Sequence, residues 1–388
     1  MSPALASNGA AIAARAELEQ ATELHPHARV VLAGALEQGN PSHAYLFHGP
    51  RGVGKIAAAR AFAAGLLAAG SVDERDAVDR AMRGSHPDLT WVAPSGAHEM
   101  RIDDIAEPVV KQATRTPMES LRRVFVLERV DTMSAEVANR MLKTLEEPGD
   151  YVHFILLTSA PERVLPTVVS RCQSVRFDAI PPRRIAELLV AEGVDADRAA
   201  SCAALAEGDL VLARELASED GETMRSAAGR IVACALRGVS GRDRPWRDVL
   251  TRAEAAGEAA EQELLVATEQ RLEVLPKGRE RSAAQKEGEQ SAHRAARRVR
   301  SESLDRSLSV AALLMRDLAA AAGGSADLVL AKDRASVIEK ASAGRPVGRL
   351  LEAAEEIDET RRHLRRNVSE ELTLQALSFR LDKILNAG

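Results

Sequence analysis

Residues 44–56 read Ala44-Tyr-Leu-Phe-His-Gly49-Pro-Arg-Gly52-Val-Gly54-Lys55-Ile56, and this stretch decides the fold of the first half of the chain. An apolar strand runs into a glycine-rich turn, and an alanine-rich helix follows through about residue 67. The Gly-x-x-x-x-Gly-Lys spacing is typical of a phosphate-binding loop, in which backbone N–H groups and the positive end of a helix face an anion. The alternative is an ordinary strand-to-helix turn, because glycine-rich turns are common.

The loop lacks one residue that a nucleotide-hydrolysing site requires. Lys55 would reach the outer phosphates, but the next position, where Ser or Thr binds the magnesium ion, is Ile56. Isoleucine has no atom that can bind a metal. Gly49, Gly52, Gly54 and Lys55 therefore predict a degenerate nucleotide site. These residues leave open whether ATP still binds, and we expect any binding to be weak.

A second apolar strand, residues 124–127, runs into Glu128-Arg129-Val130-Asp131. In P-loop ATPases such a strand ends in an acidic residue that holds the magnesium shell, and a neighbouring residue orients the attacking water. Glu128 stands in the first place, but Arg129 stands in the second and cannot accept a proton. We therefore predict that hydrolysis is lost. Two alternatives stay open: Asp131 serves as the base, or the strand is only a buried core strand.

The remaining elements up to residue 180 alternate between strands and helices. Ser134 is predicted to cap a helix that ends at Pro148-Gly149, and an apolar strand over residues 154–157 then leads to Thr158-Ser159. Further strands are predicted at residues 89–92 and 174–177. This alternation predicts an α/β fold with a parallel sheet that is covered by helices on both faces.

Four motifs carry a resemblance to a known family. They are Ser42-His-Ala-Tyr-Leu-Phe-His-Gly-Pro50, Ser85-His-Pro-Asp88, Asn139-Arg-Met-Leu-Lys-Thr-Leu-Glu-Glu-Pro148 and Pro166-Thr-Val-Val-Ser-Arg-Cys172. In this order and spacing they resemble bacterial DNA polymerase III clamp-loader subunits of the delta-prime type, which are AAA+ proteins. The resemblance is dense over residues 42–180. It implies an AAA+ P-loop domain with a parallel sheet, a small helical lid and an all-α C-terminal collar.

The resemblance also implies a role for the Ser170-Arg171-Cys172 motif. Arg171 would lie at a subunit boundary and point at the nucleotide of a neighbouring subunit, as an arginine finger. A cation supplied in this way stabilises the charge that develops on the phosphoryl oxygens in the transition state. The alternative for Arg171 is an ordinary surface salt bridge. Cys172 is interpreted as a buried small side chain, because no activating group is visible near it in the sequence.

The departures from the family pattern favour a non-hydrolysing subunit. Active gamma/tau subunits carry Lys-Ser/Thr, Asp-Glu and a lid arginine, whereas this chain has Ile56, Arg129 and, by a loose alignment, Val211 with Arg214 close by. The resemblance thus implies a component of the DNA-directed DNA polymerase holoenzyme. Its partners would be the gamma/tau and delta subunits and, through the complex, the sliding clamp and primer-template DNA. The competing hypothesis is an active gamma/tau-like ATPase or another AAA+ remodelling enzyme.

No metal site and no membrane segment are predicted. Clamp-loader subunits of this kind often carry a four-cysteine zinc module before the His-Pro-Asp motif, but residues 67–85 contain no cysteine. The 3 cysteines give no disulfide framework, and no run approaches 18 apolar residues, so we expect a cytoplasmic protein. The net charge of −5 argues against tight, independent binding to DNA.

Four segments are predicted along the chain: an N-terminal extension over residues 1–22, the AAA+ domain over 23–180, the lid over 181–218 and the collar over 219–388. A charged, mostly basic insertion lies near residues 276–300 and lacks aromatic residues. We favour a solvated helix or a mobile insertion there over a contact with DNA. Two helical stripes in the collar are predicted to be core, formed by Leu304, Leu308, Ala311, Ala312 and Met315, and by Leu350, Leu351, Ala354 and Ile357.

Overall fold

The computed structural model describes residues 13–94, 99–273, 278–364 and 368–386. The contacts within the chain divide it into two units. One unit comprises the described residues up to Ile180 together with Gly208–Leu210, and the other comprises Pro181–Glu207 and the described residues from Val211 onward. The boundary between the units therefore falls at the Pro181-Pro182 pair.

The first unit contains a five-stranded parallel sheet, which confirms the predicted α/β fold class. Its strands pair in the order β2-β3-β4-β1-β5, so the strand that leads into the glycine-rich loop lies inside the sheet. Their bounds are β1 Ala44–His48, β2 Leu89–Val92, β3 Arg123–Leu127, β4 Val152–Thr158 and β5 Gln173–Arg176.

The prediction of a strand over residues 174–177 was wrong by one residue. The strand begins at Gln173 and ends at Arg176, although the Phe177 N–H still donates to the His48 carbonyl at 2.8 Å. Strand ends are ambiguous by a residue or two for this reason, since the last ladder bond can outlast the regular backbone.

Helices cover both faces of this sheet. Side chains alternate along a strand, so Tyr45 and Phe47 share one face, where both rings approach Phe62 of the helix after the loop, at 4.9 Å and 6.2 Å between centroids. On the opposite face Phe125 and Phe154 stack at 5.3 Å. The helices of this unit are α1 over residues 13–21, α2 Pro26–Glu37, α3 Lys55–Ala68, α4 Glu74–Arg83, α5 Ile102–Ile105, α6 Ala135–Glu146 and α7 Pro166–Val169, with a π-helix at Ala106–Lys111.

Helix α6 begins where the sequence predicts it. The hydroxyl of Ser134 accepts a hydrogen bond from the Val137 N–H at 3.3 Å, which satisfies one of the unpaired donors of the first turn. Met141 and Leu145 are buried on the face that packs against the sheet. The helix ends at Glu146, whose carboxylate accepts a hydrogen bond from Arg171 of the Ser170-Arg171-Cys172 motif.

The second unit is helical throughout its described residues, apart from short 3-10 turns and connections. Its helices are α8 Pro182–Ala191, α9 Ala196–Leu205, α10 Leu210–Ala217 (whose first residue belongs to the first unit), α11 Glu219–Arg237, α12 Ser240–Asp243, α13 Trp246–Glu273, α14 Arg279–Ala322, α15 Ala335–Ser342, α16 Val347–Leu364 and α17 Glu370–Asn386. No helix within the described ranges is long and apolar enough to cross a membrane.

The two predicted collar stripes differ in their outcome. All five residues of the first stripe are buried on α14. In the second stripe Leu350, Ala354 and Ile357 are buried, but Leu351 is 45% exposed and Ala353 is buried in its place. The reason is helical geometry, because residue 353 follows residue 350 by three positions on the same face, whereas residue 351 is turned away from it.

The predicted basic insertion lies at the start of α14. Residues 276 and 277 fall outside the described residues, as do residues 1–12 of the predicted N-terminal extension. From Arg279 onward the segment is helical, and α14 packs along α13. A Cβ added at Gly257 of α13 would lie 2.9 Å from the Ala296 carbonyl oxygen, so the two backbones approach closely there.

Candidate nucleotide site

The glycine-rich loop follows β1 at the carboxyl edge of the sheet. Gly49 has a φ of +145° and Gly52 a φ of +64°, backbone conformations that side chains rarely adopt. A Cβ at Gly49 would lie 1.9 Å from the backbone oxygen of Phe177. Gly54, with a φ of +95°, precedes the first residue of α3 and ends the turn. The sequence thus forms the strand, tight turn and helix that a phosphate-binding loop needs.

Lys55 is folded back onto this loop. Its side chain is buried, and its ammonium group donates hydrogen bonds to the Gly49 carbonyl at 2.6 Å and to the Pro50 carbonyl. Burial lowers the pKa of Lys55 to about 8, although the carboxylates of Asp209 and Asp131 oppose that shift. The Lys55 ammonium therefore loses its proton near pH 8.

The titration of Lys55 is directly measurable. In protein labelled with ¹³C at lysine, we expect the Lys55 side-chain resonance to titrate with a midpoint near pH 8, whereas an ordinary lysine titrates near ~10.4. Lys55 would keep its positive charge below pH 8 and lose it above, so anion binding should weaken as the pH rises through that value. Loss of the resonance in Lys55→Arg assigns it. A midpoint near 10 would contradict the buried position.

Ile56 occupies the first turn of α3 with 51% of its surface exposed. The side chain presents only methyl and methylene groups at the position where a hydroxyl would bind magnesium. The side chain at this position is therefore accessible, but it has no atom that can bind a metal ion.

Glu128 lies directly after β3, at the same edge of the sheet as the loop. Its carboxylate accepts a hydrogen bond from the indole N–H of Trp91 at 2.6 Å. Trp91 lies on β2, the neighbouring strand, and its ring also faces the guanidinium of Arg60 at 4.8 Å. The sequence pattern did not predict the Trp91 contact, because nothing in the order of residues places β2 beside β3.

Arg129 follows in a left-handed backbone conformation, with a φ of +53°. This conformation is uncommon outside glycine, and here it lets the Arg129 carbonyl accept hydrogen bonds from the N–H and the hydroxyl of Thr132 at 2.9 Å and 2.7 Å. The chain therefore turns sharply after Glu128. In the sequence, Arg129 occupies the position that a hydrolysing site gives to its water-orienting residue.

Asp131 and Thr158 form a polar pair that was not predicted from the sequence. The Thr158 hydroxyl donates to the Asp131 carboxylate at 2.8 Å, and the Ala160 N–H donates to that hydroxyl at 3.0 Å. Thr158 ends β4 and lies in register with His48 of β1, so the pair lies at the loop's edge of the sheet. A polar residue at the end of an otherwise apolar strand was the available signal.

Arg171 lies at the amino-terminal edge of the sheet, opposite the carboxyl edge that carries the loop. It precedes β5, whose Gln173 is in register with Tyr45, whereas the loop follows the far end of β1. At ~3.3 Å per residue, the two edges are separated by roughly 20 Å. The structure thus places Arg171 away from the loop of its own chain.

The Arg171 guanidinium has partners at this edge. It donates to Glu146 Oε1 at 2.6 Å, to the Thr167 carbonyl at 2.8 Å and to the Ser170 hydroxyl at 3.3 Å, with 34% of its side chain exposed. A groove of about 410 Å³ lies beside it, lined by residues that include His43 and Glu146. Cys172 is half-buried, and burial raises the pKa of its thiol to about 12, so it is no nucleophile near neutral pH.

The loosely aligned lid residues lie in the second unit. Val211 is 57% exposed, and the guanidinium of Arg214 donates to the Glu192 carboxylate at 2.6 Å. No group of three or more His, Cys, Asp and Glu residues among the described residues could hold a metal ion.

Comparisons with known proteins agree on one family. Residues 24–181 match the model of the family described as DNA polymerase III, delta subunit. The delta-prime subunit of Bacillus subtilis is 32% identical over 180 residues, which cover 45% of this chain and 54% of that protein. The delta-prime subunit of Pseudomonas aeruginosa is 38% identical over 137 residues, which cover 34% and 42%. The gamma/tau subunit of Mycobacterium bovis is 35% identical over 182 residues, which cover 45% and 31%.

The parallel sheet, the phosphate-type loop and the polar ends of β3 and β4 define the first unit as a P-loop domain of the AAA+ class. Within that class, residues 24–181 are similar in sequence to bacterial DNA polymerase III clamp-loader subunits. The matched regions span about half the length of these curated relatives, or less.

Proposed function

We propose that this chain is a delta-prime-type subunit of a bacterial clamp loader in DNA replication, that it does not hydrolyse ATP itself, and that it supplies Arg171 to the ATPase site of a neighbouring subunit. The observation that carries this proposal is the pair of replacements at the loop's edge of the sheet. Ile56 offers no metal ligand, and Arg129 offers no proton acceptor. A bound magnesium ion would lack its hydroxyl ligand, and the attacking water would lack its orienting residue.

The position of Arg171 supports the second part of the proposal. Arg171 and Lys55 lie at opposite edges of one sheet. Arg171 can therefore contact a nucleotide only if that nucleotide is bound to a neighbouring subunit. The ion pair with Glu146 does not prevent this. An exposed pair of this kind contributes ~0–1 kcal/mol, so the guanidinium could exchange Glu146 for phosphate oxygens at small cost.

The proposed partners follow from the family. Gamma/tau and delta subunits would form the neighbours, and the sliding clamp and primer-template DNA would be engaged through the complex. In this proposal the helical second unit supplies the lid and the collar that hold the assembly together. The chain itself works as a scaffold, and ATP in its own loop plays a minor part or none.

A second candidate function is an active gamma/tau-like ATPase. Two observations favour it: the Asp131–Thr158 pair at the carboxyl edge, and the 35% identity to a gamma/tau subunit. Asp131 would then act as the base and Thr158 would hold it in place.

An assay of the isolated chain separates the two candidates. With magnesium and ATP, we expect the purified full-length protein to release no phosphate above the level of Lys55→Ala, because Ile56 replaces the hydroxyl ligand of the metal and Arg129 replaces the water-orienting residue. The Lys55→Ala variant is the matched control for a contaminating ATPase. Turnover in the wild type that disappears in Lys55→Ala would overturn the non-hydrolysing assignment and make the chain a motor.

A further inference from the structure

A carboxylate of the chain itself lies against the phosphate-type loop. The segment Gly208–Leu210 belongs to the first unit, and Gly208 lies beside Ala179 and Ile180. A Cβ added at Gly52 would lie 1.5 Å from Oδ1 and 2.6 Å from Oδ2 of Asp209. Both oxygens of Asp209 therefore pack directly on the backbone of the turn.

The charges agree with this geometry. Asp209 is the foremost of the charged groups that favour the ammonium form of Lys55, ahead of Asp131. A loop of this shape presents backbone N–H groups and a lysine to an anion, and the phosphates of a nucleotide are its usual occupant. Here the anion beside Gly52 and Lys55 is a side chain of the same protein.

We propose that the Asp209 carboxylate acts as an intramolecular anion that competes with nucleotide phosphates for the loop formed by Gly49–Lys55. This inference deepens the proposed function and rests on it, because it gives a cause for weak nucleotide binding that is separate from the loss of hydrolysis. Asp209 lowers the affinity for phosphates in two ways. The Asp209 carboxylate repels the phosphates as a like charge. It also neutralises part of the positive charge that would bind them.

The test compares full-length wild type with Asp209→Asn, which keeps the shape of the side chain and removes its charge. Calorimetric titration with magnesium-ATP and, because Ile56 offers no metal ligand, with metal-free ADP and pyrophosphate measures the affinity. We expect Asp209→Asn to bind these anions about 10- to 100-fold more tightly than wild type. The matched control is Asp150→Asn, the same charge change at an exposed residue that precedes β4 at the other edge of the sheet, and its affinity should equal that of wild type.

Affinities that do not differ between wild type and Asp209→Asn, or the absence of binding in both, would overturn the inference. An equal gain in affinity in Asp150→Asn would show that the change in net charge alone causes the tighter binding, and this result would also overturn the inference. Phosphate release, measured in the same samples, decides the proposed function independently. Turnover by the wild type would refute the non-hydrolysing role, whatever the affinity of Asp209→Asn.

A second measurement tests the contact without any ligand. Gly52→Ala should lower the melting temperature of the first unit more in wild type than in an Asp209→Gly background, because the added methyl group meets Asp209 only in the former. The strain of a left-handed alanine is the same in both backgrounds and cancels. Equal losses would show that Asp209 does not pack on the turn.

Discussion

Replacement of Arg171 by alanine should abolish most of the ATP turnover at one site of a reconstituted clamp loader while leaving the fold of this chain intact. An arginine finger is worth ~10³–10⁵ in the rate of the site that it serves. We therefore expect single-turnover hydrolysis at the neighbouring subunit to fall at least ~10³-fold. The reason is electrostatic, since a planar cation that reaches the transferring phosphoryl group stabilises the charge that develops there.

Three further variants separate this role from a structural one. Arg80→Ala is the matched control, because Arg80 also pairs with a glutamate at 2.6 Å on the surface of the same unit. Glu146→Ala removes the partner of Arg171 and should leave the rate unchanged or raise it. Arg171→Lys keeps the positive charge but loses the planar guanidinium with its paired donors, so the hydrolysis rate of a loader with this variant should remain low. A loader with Arg171→Ala that turns over ATP at the wild-type rate would refute the finger assignment.

The fold of the first unit was largely predictable because β1, β3 and β4 are short, mostly apolar runs between clear turn signals. The strands around Phe125 and Phe154 could be read from hydrophobicity alone, and the cap at Ser134 from its residue type. What could not be read was the order of the strands. That order places Glu128 beside Trp91 and Thr158 beside Asp131, and these contacts depend on pairing across the sheet rather than on spacing along the chain.

The candidate site was predictable only in its local parts. The replacements at Ile56 and Arg129 are visible in the sequence, because each is one position from a residue of a known motif. Asp209 was not visible as a site residue, since it is more than 150 positions from Gly52 and lies in a stretch that pattern alone assigns to the lid. The exposure of Leu351 was missed for a simpler reason, because Leu351 lies roughly 100° around the helix from Leu350 and outside the face that Leu350, Ala354 and Ile357 share.

Replacement of Gly49 by alanine should destabilise the first unit by about 3–5 kcal/mol, even though alanine is the smallest side chain that can be added. The φ of +145° is open almost only to glycine, and the new Cβ would lie 1.9 Å from the Phe177 oxygen and 2.9 Å from its carbonyl carbon. These backbone atoms cannot move away easily, because the Phe177 N–H is bonded to His48 at the end of the sheet.

Gly39→Ala is the matched control, because Gly39 has a φ of +68° but an added Cβ would meet nothing within 4 Å. It should cost only the strain of a left-handed alanine, ~1–2 kcal/mol. Denaturant unfolding followed by tryptophan fluorescence in a Trp246→Phe background gives the comparison, because Trp91 then reports the first unit alone. Equal losses in the two variants would show that the Phe177 contact adds nothing. A larger loss at Gly49 would mean that packing alone requires this glycine, so its presence in the loop is compatible with a chain that no longer uses ATP.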